Sequence, residues 1–175
     1  MCKRVLVTLD GSRTSRAVLP EVERLGPGTH VTLLTVGGSP HGTSELPPPP
    51  YTGGAPVPGG IVRMPAARTV EDRTQAYERT RDQLTNFLEE CASPLRAAGL
   101  NVETIVRFGD AVEEILAAAR ETDAEVIMMA THGHSALAQV IFGSVAGRVV
   151  GSGVRPVLLV RPRELRGETA DLPTA

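Results

Sequence analysis

Two short stretches of the chain carry residue types and spacings that could do chemistry. The first is Leu9-Asp10-Gly11-Ser12; the second is Ala130-Thr131-His132-Gly133, followed ten residues after its glycine by Gly143-Ser144. An aspartate just beyond a strand offers a carboxylate to ribose hydroxyls or to an adenine amino group. The same residue type also closes turns and caps helices, so Asp10 has a structural reading beside the chemical one. At Gly133 and Gly143-Ser144 the chemistry would be that of the backbone. Glycines let main-chain N–H groups approach phosphate oxygens, and a helix starting at Ser144 would present unpaired amides carrying about half a positive charge. The competing reading is a turn at Gly133 with Ser144 capping its own helix, and spacing alone leaves both open.

Other chemistries find no support. The chain lacks a GxxxxGK[ST] phosphate loop, and Gly151-Ser152-Gly153 runs into Pro156 instead of a third glycine. Cys2 and Cys91 have neither a CxxC partner nor histidines at ligand spacing, so no disulfide framework or zinc site is expected. No Ser/His/Asp, paired-carboxylate or metal-ligand cluster identifies a catalyst. Eighteen Lys and Arg against 20 Asp and Glu give a net charge of -2, which leaves no electrostatic footprint for nucleic acid and no polybasic stripe for a membrane. Aromatic residues make up only 3%, which removes the stacking platforms that single-stranded nucleic acid needs and implies an aliphatic core. No apolar run approaches the roughly 20 residues of a membrane span, and a strand-like segment begins almost at once; a cytoplasmic location is expected.

The elements that must position the two stretches follow from hydrophobic periodicity. Val5–Leu9, Val31–Val36, Val126–Ala130 and Val157–Val160 are nearly continuous apolar runs, the pattern of strands covered on both faces by helices. Residues 102–107 mix polar side chains into the pattern and read as an edge strand. Between them, an apolar stripe through Tyr77, Leu84, Leu88, Cys91, Leu95 and Ala98 predicts a helix over about 70–98, capped by Thr69 and stopped by Gly99. A second helix spans about 111–121, with Asp110 and Glu113 at capping-box spacing and Val112, Ile115, Leu116 and Ala119 facing inward. A third begins near Thr14, where Pro20 must kink it or delay its regular part. A fourth starts near Ser144 and ends around 151–153. The alternation of strands and helices predicts an α/β fold, a doubly wound five-stranded parallel sheet with helices on both faces. One domain over 1–162 is expected. A Pro/Gly-rich insertion at 37–68 interrupts it, including four consecutive prolines at Pro47–Pro50, and a flexible tail follows at 163–175.

Taken together, Val5-Leu6-Val7-Thr8-Leu9-Asp10-Gly11-Ser12, the Arg107-Phe108-Gly109-Asp110 turn, and Met129-Ala130-Thr131-His132-Gly133 through Phe142-Gly143-Ser144-Val145 to Pro156-Val157-Leu158-Leu159-Val160 resemble a universal stress protein domain. The resemblance covers almost the whole chain outside 37–68 and the tail. Nucleotide-binding members of that family carry glycine, two residues, glycine, nine residues, then glycine with Ser or Thr. Here Gly133 and Gly143-Ser144 keep the spacing, while the first position is Ala130. The added methyl crowds a phosphate unless the local φ is negative.

The resemblance implies a strand order of 3-2-1-4-5, with both stretches in one crevice at the strand reversal. It implies ATP with Mg²⁺ as ligand and a nucleotide-dependent regulatory or stress-response role, with turnover, if any, limited to slow ATP hydrolysis. Asp10 would meet ribose or adenine, Val36 would line the adenine pocket and Gly109 would lie beside the nucleoside. Gly133, Gly143, Ser144 and Val145 would hold phosphates, with Ala130 at the first position of the loop. That strand order also leaves Val157–Val160 as an apolar edge, for which pairing with a second copy in a homodimer is the natural cover. Two alternatives stand beside this reading. One is a protein of the same fold that binds partners and no nucleotide. The other is an adenylyl-transferring enzyme using His132 or His134, whose spacing resembles the histidine pair of nucleotidyl transferases.

Overall fold

The computed structural model describes residues 3–38, 70–130 and 143–161. Cys2, the insertion beyond Gly38, Thr69, the stretch holding Thr131, His132, Gly133 and His134, and the tail lie outside the described residues. Five strands form one parallel sheet: β1 (Arg4–Thr8), β2 (His30–Gly37), β3 (Asn101–Phe108), β4 (Val126–Ala130) and β5 (Val157–Val160), in the order β3-β2-β1-β4-β5. The helices are α1 (Leu19–Glu23), α2 (Val70–Ala97), α3 (Ala111–Glu121) and α4 (Ser144–Gly151).

Side-chain alternation along the central strands explains the two layers of helix. Val5, Val7 and Leu9 point to one face of the sheet and pack with Val18, Val22, Leu88, Cys91 and Leu95 from the segments around α1 and α2. Leu6 and Leu34 point to the other and pack with Val112, Ile115, Ala118, Ala119, Ala146 and Val149 from α3 and α4. A strand whose side chains are buried on both faces must be apolar at successive positions, as β1 is from Val5 to Val7. By contrast, Asn101 and Glu103 of β3 are exposed, in keeping with its place at the sheet edge.

Several boundaries differ from expectation. The helix expected near Thr14 begins as a 3₁₀ turn, Ser15–Val18, and becomes α-helical only with Pro20 in the first turn of α1, where its missing N–H costs no helical bond. Inside α3 the buried residues are Val112, Ile115, Ala118 and Ala119, whereas Leu116, expected to face inward, is half-buried. Gly37, expected to open the insertion, instead ends β2; a Cβ there would lie 2.7 Å from Cε1 of Phe108. Pro94 lies inside α2, a feature the periodicity did not mark. Beyond that helix Gly99 adopts φ +87°, and the Leu100 amide donates to the Leu95 carbonyl at 3.2 Å, closing the end in the left-handed manner that favours glycine. Among the described residues no helix is long and apolar enough to cross a membrane.

Candidate functional site

The strand order reverses between β1 and β4, and the carboxyl ends of those two strands open into one cleft. Its volume is about 360 Å³, within the usual range for small-molecule sites. Asp10, Val36, Ala130, Gly143, Ser144 and Val145 all line it. Residues about 120 positions apart in sequence are therefore brought together by the adjacency of β1 and β4, where Val7 is in register with Met128. Gly109 is not among the lining residues, although Ala111, two positions on, is. Gly133 lies outside the described residues.

Three kinds of surface meet in the cleft. Leu34 and Val36 of β2, Ile115 of α3 and Met129 of β4 contribute an apolar wall. Leu34, Ile115 and Met129 owe their positions to the inward faces of their elements and were not singled out as site residues from sequence; the same is true of Thr8, Leu9, Ser15, Ala111 and Ala146. The signals these residues carried were those of strands and helices: Leu9, Leu34 and Met129 lie in the apolar strand runs and Ile115 in the inward stripe of α3.

On one lip, Asp10 is exposed and its Oδ1 accepts the Ser12 amide at 2.9 Å. Gly11 between them adopts φ +82°, so the aspartate closes a turn as the structural reading expected. Ser12 in turn accepts the Ser15 amide through Oγ at 3.0 Å, and the Ser15 hydroxyl donates to the Ser12 carbonyl at 2.9 Å. This local network holds the Asp10 carboxylate at the cleft mouth.

Two helices begin at the cleft and are capped differently. Asp110 caps α3: its Oδ1 accepts the amides of Val112 at 3.0 Å and Glu113 at 3.1 Å. Its carboxyl is held below the ordinary aspartate range, first by the Glu113 amide and then by the side chain of Arg148. Gly143 is the N-cap of α4; among the described residues no side chain caps that helix, and no acidic residue occupies its first turn. The amides of Ser144, Val145 and Ala146 have no acceptor within the helix, and all three residues line the cleft.

The backbone of Gly143 sharpens this point. At φ -57° and ψ 160° it is in a conformation open to any residue, and a Cβ would meet no described atom within 4 Å. Neither dihedral strain nor packing among the described residues explains a glycine there. Ala130 also has ordinary backbone, because Asp123 is the sole non-glycine with positive φ among the described residues. Among those residues no group of three or more His, Cys, Asp or Glu is arranged to hold a metal ion.

A doubly wound α/β protein with an open cleft at its sheet reversal is the class that fold and site define. Within that class, the family model described as the Universal stress protein family matches residues 1–161, and the chain belongs to this family. It is 29% identical to the universal stress protein YxiE of Bacillus subtilis over 164 residues, 92% of this chain and the whole of that one. It is 30% identical to the universal stress protein MJ0577 of Methanocaldococcus jannaschii over 80 residues, 46% of this chain and about half (49%) of that protein. The solved structure of MJ0577 superposes with a TM-score of 0.66 at 24% identity, covering 92% of this chain and 96% of that one. Two further structures share the fold. A universal stress protein family protein from Arabidopsis thaliana has AMP bound, with a TM-score of 0.57 at 16% identity, covering 95% of each chain. A universal stress protein in complex with cAMP has a TM-score of 0.60 at 17% identity, covering 93% of this chain and 99% of that one.

Proposed function

We propose that the cleft binds an adenine nucleotide, ATP with Mg²⁺, and that the chain acts as a nucleotide-dependent regulatory or stress-response module. The observation that carries this reading is the start of α4, uncapped among the described residues and lining the cleft at Gly143, together with an apolar wall and the Asp10 carboxylate in the same cleft. Each surface suits one part of an adenylate. Val36 and Leu34 take the base, Asp10 meets ribose or the adenine edge, and the amides of Ser144 and Val145 hold phosphate with the Ser144 hydroxyl. Gly109 lies beside the nucleoside at one remove, and Gly133 completes the phosphate loop. The negative-region φ of Ala130 supports tolerance of its methyl at the loop's first position. That related folds hold AMP and cAMP supports the choice of an adenine nucleotide.

Mg²⁺ would be carried by the phosphates as their counterion and would add positive charge beside the start of α4. The same reading covers β5 with a second copy of the chain: Leu158 is 47% exposed on this edge strand, and Val150 of α4 is 40% exposed.

A micromolar site corresponds to about 8 kcal/mol, of which each charge-assisted hydrogen bond contributes roughly 1.5–3 kcal/mol. Protein purified without added nucleotide and then denatured is expected to release ATP or ADP, identified by chromatography, at a substantial fraction of a molar equivalent. Release of none, with no heat of binding at millimolar ATP and Mg²⁺, overturns the reading in favour of a protein that binds partners through the same fold.

A further inference from the structure

We infer that the Thr8 hydroxyl is a specificity-determining donor of the cleft, giving its hydrogen bond to a ring nitrogen of the bound purine. The inference rests on the nucleotide reading above and deepens it, naming a side chain that distinguishes one base from another.

Thr8 ends β1 and lines the cleft, half-buried. Its neighbours fix the way it faces. It follows Leu6 by two positions, so its side chain leaves the same face of the sheet, the face that packs against α3 and α4. On one side it is in register with Leu34 of β2. On the other it stands beside Met129 of β4, because Val7 is in register with Met128. Leu34 and Met129 both line the cleft, each one strand spacing from Thr8, about 4.8 Å. Thr8 is therefore set into the apolar wall proposed to take the base. Among the described strand residues that line the cleft, it alone is polar.

The hydroxyls of the cleft divide by what already engages them. The free ring nitrogens of adenine only accept hydrogen bonds, and so does the Asp10 carboxylate at the mouth, so a ring nitrogen needs a different partner. Thr8, Ser15 and Ser144 carry the hydroxyls among the described lining residues. The Ser15 hydroxyl donates to the Ser12 carbonyl at 2.9 Å. Ser144 stands at the start of α4, where the proposed site holds phosphate. Among the described residues no hydrogen bond engages the Thr8 hydroxyl. A base covering it takes away its water, and a ring nitrogen in reach replaces the lost bond. A ring with C–H at that position leaves the hydroxyl unpaired, which is how such a site rejects it.

The test measures binding of adenosine, of its 1-deaza, 3-deaza and 7-deaza analogues and of ATP with Mg²⁺ by calorimetry, for wild type, Thr8→Val and Thr8→Ser. Each analogue replaces a single ring nitrogen by C–H and keeps the outline of the base. Valine keeps the β-branched shape that suits a strand and removes the hydroxyl, whereas serine keeps the hydroxyl and removes the methyl. Thr8→Val is expected to weaken adenosine about three- to tenfold, the factor of one neutral hydrogen bond, and to weaken ATP equally, since the two share the base. One deaza analogue binds wild type more weakly than adenosine by the same factor, and for that analogue alone Thr8→Val causes no further loss. Thr8→Ser retains the wild-type affinity for adenosine.

A Thr8→Val variant with wild-type adenosine affinity overturns the inference. Equal losses for adenosine and every analogue also overturn it, since they report a change of shape and not a bond to one atom. So does a Thr8→Ser variant as weak as Thr8→Val, which makes the methyl the group that matters. If wild type binds neither adenosine nor ATP, the nucleotide reading itself has failed and this inference falls with it; binding of both that is indifferent to Thr8→Val leaves that reading standing and removes this one alone.

Discussion

Gly143→Ala separates the requirement for folding from the requirement for ligand approach. The substitution adds one methyl at the N-cap of α4, in a backbone conformation alanine readily adopts and with no described atom within 4 Å of the new carbon. Two small effects of opposite sign act on stability. Alanine restricts the unfolded chain, stabilising the fold by about 0.4–1 kcal/mol, and it is a poorer N-cap than glycine by a comparable amount. Stability measured by urea unfolding is therefore expected to stay within about 1 kcal/mol of wild type. In the proposed site binding responds differently, because the methyl would stand where a phosphate oxygen approaches the backbone. Loss of one charge-assisted hydrogen bond, roughly 1.5–3 kcal/mol, corresponds to about a ten- to hundredfold weaker ATP affinity by calorimetry. An alanine variant with wild-type affinity refutes the argument that the glycine is there for the ligand. One destabilised by more than about 2 kcal/mol refutes the claim that the fold has no need of it.

Three other predictions test different parts of the structure. Gly37→Val should destabilise the protein by about 1–3 kcal/mol in urea unfolding, because its Cβ would press on Phe108 at 2.7 Å and on Leu84 at 3.1 Å beside the tilted Tyr77–Phe108 ring pair. Glu89 is held below the ordinary glutamate range, first by its hydrogen bond from Arg96 and then by that from Thr104. Its folded pKa is the lower one, so its contribution is present above the ordinary range and is lost as pH falls through the lowered value; thermal melts of Glu89→Gln should show a shallower acid-side decline than wild type. If β5 pairs with a second copy as proposed, wild type is a dimer in light scattering and Leu158→Lys, which places a charge on the exposed β5 edge, is a monomer with little change in thermal stability; a monomeric wild type contradicts the proposed pairing.

Much of the fold was legible because burial on two faces leaves a strong mark on sequence. The runs at 126–130 and 157–160 coincide with β4 and β5, and the capped pattern at 111–121 coincides with α3. Where local signals compete, the sequence is less informative. Pro20 marks a disturbance without revealing that the preceding turn is 3₁₀, and the choice between Leu116 and Ala118 on α3 depends on how the helix is rotated over the sheet.

The site shows the same division. Asp10 and Gly143-Ser144 are readable because carboxylates and glycines beyond strand ends are chemically distinctive. Leu34, Ile115 and Met129 are indistinguishable in sequence from any other core residue until the sheet places them at the cleft. The ion pair between Asp110 and Arg148 joins residues 38 positions apart on neighbouring helices. Neither residue's local sequence announces the other. Likewise Asp123, at φ 47°, is held by Arg4 at 2.6 Å and Arg155 at 3.1 Å, contacts that exist only once β1, β4 and β5 lie side by side.

The most direct test of the central claim is a titration of ¹⁵N-labelled protein with ATP and Mg²⁺, read as amide shifts residue by residue. Saturable shifts largest at Ser144, Val145 and Ala146, and smaller there with adenosine, are the expected result. Saturable ATP binding that leaves those three amides unmoved, or moves instead the far ends of the strands at His30 and Asn101, would contradict the account.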